Sequence, residues 1–157
     1  MEFTHLIDLA CERLGGAVLE ANDEFFAEKE NLIRDAAPVW REGEYTERGK
    51  WMDGWETRRR REPGYDWAVV QLALPGSIHG FVVDTAFFTG NYPEACSIEA
   101  RDGDGDWYEV LSRRPLEGNT KNFFALDPTR RVTHVRLNIY PDGGVARFRA
   151  FGVVAGG

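Results

Sequence analysis

Between Tyr45 and Arg61 the chain reads YTERGKWMDGWETRRRR. Two tryptophans (Trp51, Trp55), two carboxylates (Asp53, Glu56) and four consecutive arginines (Arg58 to Arg61) crowd around one Asp-Gly pair. Closely spaced carboxylates can move protons. Guanidinium groups grip anions through parallel hydrogen bonds. Aromatic rings give a cleft its shape. The same composition also fits a plainer arrangement, with the tryptophans packed in a core or rim and the arginines a solvated run before a strand. Local composition leaves both open.

Other candidates lie along the chain. Asp53 is a general acid or base, a ligand of a hard cation, or simply the Asx-turn residue before Gly54. Glu56 is an acid or base, or a partner for an arginine. His79 opens a strand after a turn, where a histidine is either catalytic or a surface or core residue; His5 and His134 carry less weight. Asn91 and Tyr92 follow the Phe87-Phe88 strand end, in reach of a ligand or in an ordinary turn. Asp142-Gly143-Gly144 either offers amides to an oxyanion or closes a hairpin, and the hairpin is favoured. Asp102, Asp104 and Asp106 lack the remaining ligands of a twelve-residue calcium loop, so a solvated hairpin is expected there. If residues 57–60 are extended, Arg58 and Arg60 point one way and Arg59 and Arg61 the other, so at most half the run faces one ligand.

Composition bounds the rest. At 157 residues, one domain over 1–157 is expected, large enough to bury a core. A net charge of -7 argues against nucleic acid and against a polybasic membrane adaptor. No apolar run reaches the length of a membrane span. The opening MEFTHLIDLACERLGG carries Glu2 and Asp8 and does not read as a signal peptide. Cys11 and Cys96 are isolated, without metal-ligand spacing or disulfide density. A cytoplasmic protein is the expectation.

The elements that must position these residues read mostly as strands. A short run covers Ala17 to Ala21, and Asn22 or Asp23 caps a turn or one helical turn. Residues 28–66 form a long irregular connection. Strands are expected over Trp67–Leu74, Ile78–Phe88, Ala95–Ala100, Trp107–Leu111, Asn122–Leu126, Thr133–Tyr140 and Val145–Val154. In the sixth of these, Val135, Leu137 and Ile139 alternate with Arg136 and Asn138. Turns fall at Pro75-Gly76, Gly90-Asn91, Asp102 to Gly105, Asp127-Pro128 and Asp142 to Gly144. Only residues 1–14 read as helical, through Leu6, Ala10 and Leu14. Many strands with short turns predict an all-β fold, an antiparallel sandwich or barrel with little helix near the N-terminus, and a sandwich is preferred.

The order of these elements resembles the galactose-binding-like jelly rolls, which include discoidin-type modules. The wording of several segments is more specific. Asp8-Leu9-Ala10 with Glu12 to Gly16, Asp23 to Ala27, Glu30-Asn31-Leu32, Gly49 to Arg59, Phe88 to Pro93 and Arg136 to Gly144 resemble the allantoicase repeat over nearly the whole chain. Allantoicases typically carry two such repeats in tandem, and one is present here.

What the resemblance implies is an enzyme of ureide catabolism, a hydrolase converting allantoate and water to ureidoglycolate and urea. A positioned guanidinium would hold the substrate carboxylate, and an acid–base group would serve the departing nitrogen and the attacking water. Asp53, Glu56 and His79 are the catalytic candidates. Lys50, Trp55, Arg58, Arg59, Asn91, Tyr92, Asp142 and Arg147 are the substrate-binding ones. No metal ligands are assigned, and dependence on a divalent metal is left open. A non-catalytic ligand- or carbohydrate-binding module on the same scaffold, or one half of a two-repeat enzyme, is the alternative. The partner expected is a small anionic ureide. The aromatics Trp40, Trp51, Trp55, Trp107, Phe87 and Phe88 exceed what one thin core needs, so a homodimer, or a higher oligomer built from dimers, imitating the tandem arrangement is also expected.

Overall fold

The computed structural model describes residues 2–156. Among them the strands are β1 (Ile7–Asp8), β2 (Ala17–Ala21), β3 (Tyr45–Thr46), β4 (Gly49–Lys50), β5 (Trp55–Glu56), β6 (Asp66–Asp84), β7 (Ala95–Arg101), β8 (Tyr108–Pro115), β9 (Lys121–Ala125), β10 (Val132–Tyr140), β11 (Gly144–Val145) and β12 (Arg147–Val154). All pairings are antiparallel. Together they form the expected jelly-roll sandwich.

One long strand joins its two layers. Residues 66–71 of β6 pair with β2 and β10, and β10 continues the layer to β7 and β8. Residues 76–84 pair with β12 and β9, and β1 extends that layer beyond β12. The Pro75-Gly76 signal therefore does not end a strand. It lies within β6, where the chain passes between layers and the pairing shifts from one set of partners to the other. A glycine fits there because a Cβ would meet Val153 O at 2.6 Å.

Period-2 alternation builds the core. Val135, Leu137 and Ile139 of β10 face Ala68 and Val70, Phe81 and Val83, Ile98 and Ala100, and Phe148 and Ala150 in one buried cluster. Each Val, Leu, Ile or Phe among them contributes roughly 1.5–3 kcal/mol on burial, and each Ala less. Phe81 and Phe148 stack at 5.5 Å between ring centroids. The opposite face of β10 is polar but not bare: Asn138 is buried beneath a network in which its Nδ2 donates to Ser97 Oγ and Glu99 Oε1, while Arg136 pairs with Glu99.

One other expectation is corrected. Of the 1–14 stretch expected to be helical, the described residues 2–14 form no α-helix but 3-10 turns at Glu2–His5 and Glu12–Leu14, with β1 between them. The interval is too short and too interrupted to propagate a helix. Of the turn or helical turn expected at Asn22 or Asp23, the turn is the one that forms. Asn22 joins Asp66 and Trp67 by side-chain hydrogen bonds, and Asp23 forms an Asx turn to the Phe25 amide. The long connection over 28–66 carries a 3-10 turn at Lys29–Ile33 and the short strands β3, β4 and β5.

Candidate active-site cleft

Three connections meet at one end of the sandwich: residues 55–60 running on from β5, the β6–β7 connection around 88–94, and the β10–β11 connection around 140–145. Main-chain pairing of Gly144 with Glu56 and Val145 with Trp55 ties the first to the third. Thr57 strengthens the tie. Its N–H donates to Gly143 O and its Oγ1 accepts from the Gly143 N–H, each at 3.1 Å. The Gly144 N–H donates to Asn91 O at 2.8 Å, which brings in the second connection. Gly143 is required here: its φ is 132°, and a Cβ would meet Asn91 O at 2.7 Å.

Between these connections lies a cleft of about 610 Å³, lined by Phe26, Glu56, Thr57, Arg59, Arg60, Gly90, Asn91, Tyr92, Glu94, Pro141, Asp142 and Gly143. Five of the sequence candidates therefore share one wall system: Glu56, Arg59, Asn91, Tyr92 and Asp142. The Asn91 Nδ2 donates to Glu56 Oε2 at 2.8 Å. Burial pushes the Glu56 carboxyl above its ordinary range, against the lowering effect of the Asn91 bond. Among the described residues Arg59 has no hydrogen-bonding or ion-pairing partner, so its guanidinium is available to a ligand. Asp142 uses one oxygen to accept the Arg60 N–H at 2.8 Å.

Arg60 lines the cleft too, with Nη1 bound to the buried Asp66 at 2.9 Å. The expected split of Arg58 and Arg60 against Arg59 and Arg61 thus does not hold. Residues 57–60 pair with no strand, and the Asp142 contact sets Arg60 instead. Arg58 lies over the Phe25 ring at 4.1 Å, in an adjoining depression it shares with Asp23, Phe26, Arg59, Arg60, Arg61 and Glu62. Phe26 and the two arginines join the two depressions.

The other candidates stand elsewhere. Asp53 is buried in a bidentate ion pair with Arg147, and neither lines the cleft. Burial raises the Asp53 carboxyl, but the bonds from Arg147 and the Val39 amide, with the charges of Arg147 and Arg34, together outweigh it and hold the carboxyl below the usual range. Trp55 is fully buried, its Nε1 donating to Asp23 O at 2.8 Å, so it packs beneath the cleft. Lys50 lies over the Trp40 ring at 4.2 Å on the β3–β4 hairpin. His79 lines a separate groove with Phe3, His5, Leu6 and Leu126. Both roles considered for Asp142 to Gly144 need correction. β11 pairs with β5 rather than folding back on β10, so there is no hairpin, and the Gly143 and Gly144 amides already donate to Thr57 and Asn91. Asp102, of the 102–106 turn, pairs with Arg131. Among the described residues no three His, Cys, Asp or Glu side chains are grouped to hold a metal ion.

Sequence reasoning did not single out Phe26, Thr57 as a brace, Glu94 or Pro141. The only signal for Phe26 was its place in the Asp23 to Ala27 segment; Glu94 and Pro141 enter the cleft through pairing between distant loops. The Glu94 N–H donates to Tyr140 O at 2.9 Å, which carries residue 94 to the site.

Comparison with known proteins bears on the family and the fold. The family model for the allantoicase repeat matches residues 7–155. A probable allantoicase from Photobacterium profundum is 48% identical over 159 residues, covering 97% of this chain and 48% of the relative. The crystal structure of allantoicase from Saccharomyces cerevisiae superposes with a TM-score of 0.87 at 36% identity, covering 98% of this chain and 52% of that one. The C-terminal domain of a chitobiase from Bacteroides fragilis superposes at a TM-score of 0.69 with 10% identity, a likeness of fold alone, covering 96% of this chain and 99% of that one. The chain spans about half the length of the curated relatives it matches. With the family match running over almost all of its length, the chain belongs to the allantoicase family.

Proposed function

We propose that the protein acts in ureide breakdown, hydrolysing allantoate to ureidoglycolate and urea at the Glu56 cleft. One observation carries this: in a chain of this family, a carboxyl raised by burial and a partnerless arginine line the same cleft. Arg59 holds the substrate carboxylate through charge-assisted hydrogen bonds. Asn91, Tyr92 and Asp142 supply donors and acceptors to the ureido arms. Glu56 gives its proton to the departing ureido nitrogen as the carbon–nitrogen bond breaks. The electron pair of the second ureido nitrogen forms a carbon–nitrogen double bond at the central carbon. Water then adds there, and its proton returns to the Glu56 carboxylate, so the residue ends as it began. A raised pKa suits a group that must be an acid in one step and a base in the next.

The domain that does this is the jelly roll over 1–157, and it works in pairs, as a homodimer imitating two tandem repeats, in the cytoplasm. Support for pairing comes from aromatics left at the surface. Trp40 is 39% exposed and packs on Phe87 at 5.8 Å, while Trp51 and Trp107 are half-buried. Trp55 and Phe88 are fully buried and take no part.

The test is urea release from allantoate by the purified protein, with and without added divalent cation, beside light scattering over a dilution series. Urea release that falls as the pH rises through the Glu56 titration is the expected result. No urea under any of these conditions ends the assignment. Full specific activity in a strict monomer ends the pairing.

A further inference from the structure

Asp53 and Arg147 are opposite charges in the interior that the proposed chemistry leaves unused. Arg147 Nη1 binds Asp53 Oδ1 at 2.8 Å and Nη2 binds Oδ2 at 2.9 Å, with both side chains almost wholly buried. Further hydrogen bonds tie the pair to the surrounding backbone. Arg147 Nε donates to Ala36 O at 2.9 Å and Nη1 to Ala146 O at 2.7 Å, and Asp53 Oδ2 accepts the Val39 N–H at 3.0 Å. One ion pair thus ties residues 36–39, Asp53 and β12 together. A buried ion pair is a weak source of net stability, since apolar residues of similar volume often serve as well. What it does supply is a fixed geometry, because a bidentate fork tolerates little rotation.

Only Gly54 and Trp55 separate Asp53 from Glu56. Gly54 lies so close to β11 that a Cβ would meet Val145 O at 2.5 Å, and its carbonyl accepts the Asn31 side chain at 2.9 Å. Trp55 is locked by burial and by its bond to Asp23 O. Glu56 then emerges in register with Gly144, at the cleft wall.

We infer that the Asp53–Arg147 pair is a positioning device for Glu56: it anchors the start of this stiff segment so that the Glu56 carboxyl sits against Asn91 and away from bulk water. The inference rests on the reading of Glu56 as the acid–base residue. The groups that share the cleft with Glu56 are Arg59 and Arg60 from its own segment, Asn91, Tyr92 and Glu94 from the β6–β7 connection, and Asp142 from the β10–β11 connection. Among the described residues none of these is hydrogen-bonded to Asp53 or Arg147, so the pair reaches Glu56 through the chain between them.

Two variants test this. Arg147→Lys keeps the charge and loses the fork. The double variant Asp53→Asn with Arg147→Gln removes both charges and leaves no buried ion unpaired. In each, the Glu56 carboxyl is titrated by carbon-13 NMR, and urea release is followed across pH below the variant's melting temperature. The expected result is a Glu56 titration moved down toward that of an exposed glutamate, with the alkaline limb of kcat moving with it. The expected drop in kcat is roughly 10- to 100-fold, as for a small misplacement of a reacting group, with KM within about twofold of the parent. A parent-like Glu56 titration in a folded variant overturns the inference. So does parent-like kcat in the double variant, which would mark the pair as structural only. Arg147→Lys alone decides if the double variant fails to fold. A parent protein that releases no urea would end the proposed function, while the titration would still decide the positioning role.

Discussion

Asp53 and Glu56 stand three residues apart and have opposite fates. Asp53 is buried and Glu56 partly so, and loss of water by itself favours the protonated form at both. Asp53 meets a guanidinium and a backbone amide, and its carboxyl is held low. Glu56 meets only the neutral amide of Asn91, and its carboxyl is pushed up. Desolvation is common to the two sites, so the partner decides the outcome. A fully compensated charge is a structural fixture; a poorly compensated one is ready to exchange protons. The chain thus sets two different environments three residues apart, pairing one carboxyl with Arg147 and leaving the other, among the described residues, without an ion-pair partner although Arg59 and Arg60 share its cleft.

Breaking the compensated side should give the largest effect. Arg147→Met leaves Asp53 charged and alone in the interior, a loss of about 3–5 kcal/mol. Chemical denaturation measures it, and a loss below about 1 kcal/mol would mean that Asp53 finds water or another partner. On the uncompensated side, Glu56→Gln should cut urea release by on the order of 100-fold or more, while leaving the protein folded. Retained turnover in this variant would remove Glu56 from the chemistry.

Arg59→Ala should weaken binding of a carboxylate ligand by roughly 2 kcal/mol or more, because a charge-assisted bidentate contact is lost. Arg58→Ala should cost less, since that guanidinium already rests on Phe25. Isothermal titration with a non-hydrolysed ureide carboxylate separates them, and equal losses would mean that Arg58 turns into the cleft on binding.

The comparison also predicts opposite pH signatures in stability. The Asp53 carboxyl is lowered on folding, so its contribution is present above the ordinary aspartate range and is lost as pH falls through the lowered value. The Glu56 carboxyl is raised on folding, so its contribution is present below the ordinary glutamate range and is lost as pH rises through the raised value. Melting temperatures recorded from acid to neutral pH should therefore show Glu56→Gln gaining on the parent toward neutral pH, by on the order of 2 °C. A variant that loses stability at neutral pH would mean that the Glu56 carboxylate is compensated after all. The smallest effect expected is at Cys96, whose thiol burial pushes up to about 12. It should resist alkylation in the native protein at neutral pH, and rapid labelling there would show that the layer of β7 opens readily.

The strands were legible in the sequence because side-chain alternation is local. Val135, Leu137 and Ile139 declare their shared face without reference to any other segment. The 51–61 segment was legible only as a candidate site, because its composition also suits a packed rim with solvated arginines, and the structure brings just part of it, Glu56, Thr57, Arg59 and Arg60, to the cleft. The route of β6 through Pro75-Gly76 was not legible, since a Pro-Gly pair reads the same at a turn and at a passage between layers. Nor was the division of labour between Asp53 and Glu56. Their types and spacing were identical evidence for both, and the deciding partner of Asp53, Arg147, lies 94 residues away. His79 looked like a candidate for the same reason that it is elsewhere: its strand position was visible, but the end of the sandwich it faces was not. Sequence by itself determined most of the longer strands, which of their faces are apolar and which side chains are able to carry chemistry, because these follow from neighbours along the chain, whereas the short strands β1, β3, β4 and β5 exist only through their partners. Only the tertiary structure decided which charges meet, since pairing across distant connections sets both the partner and the loss of water that together fix a carboxyl's role.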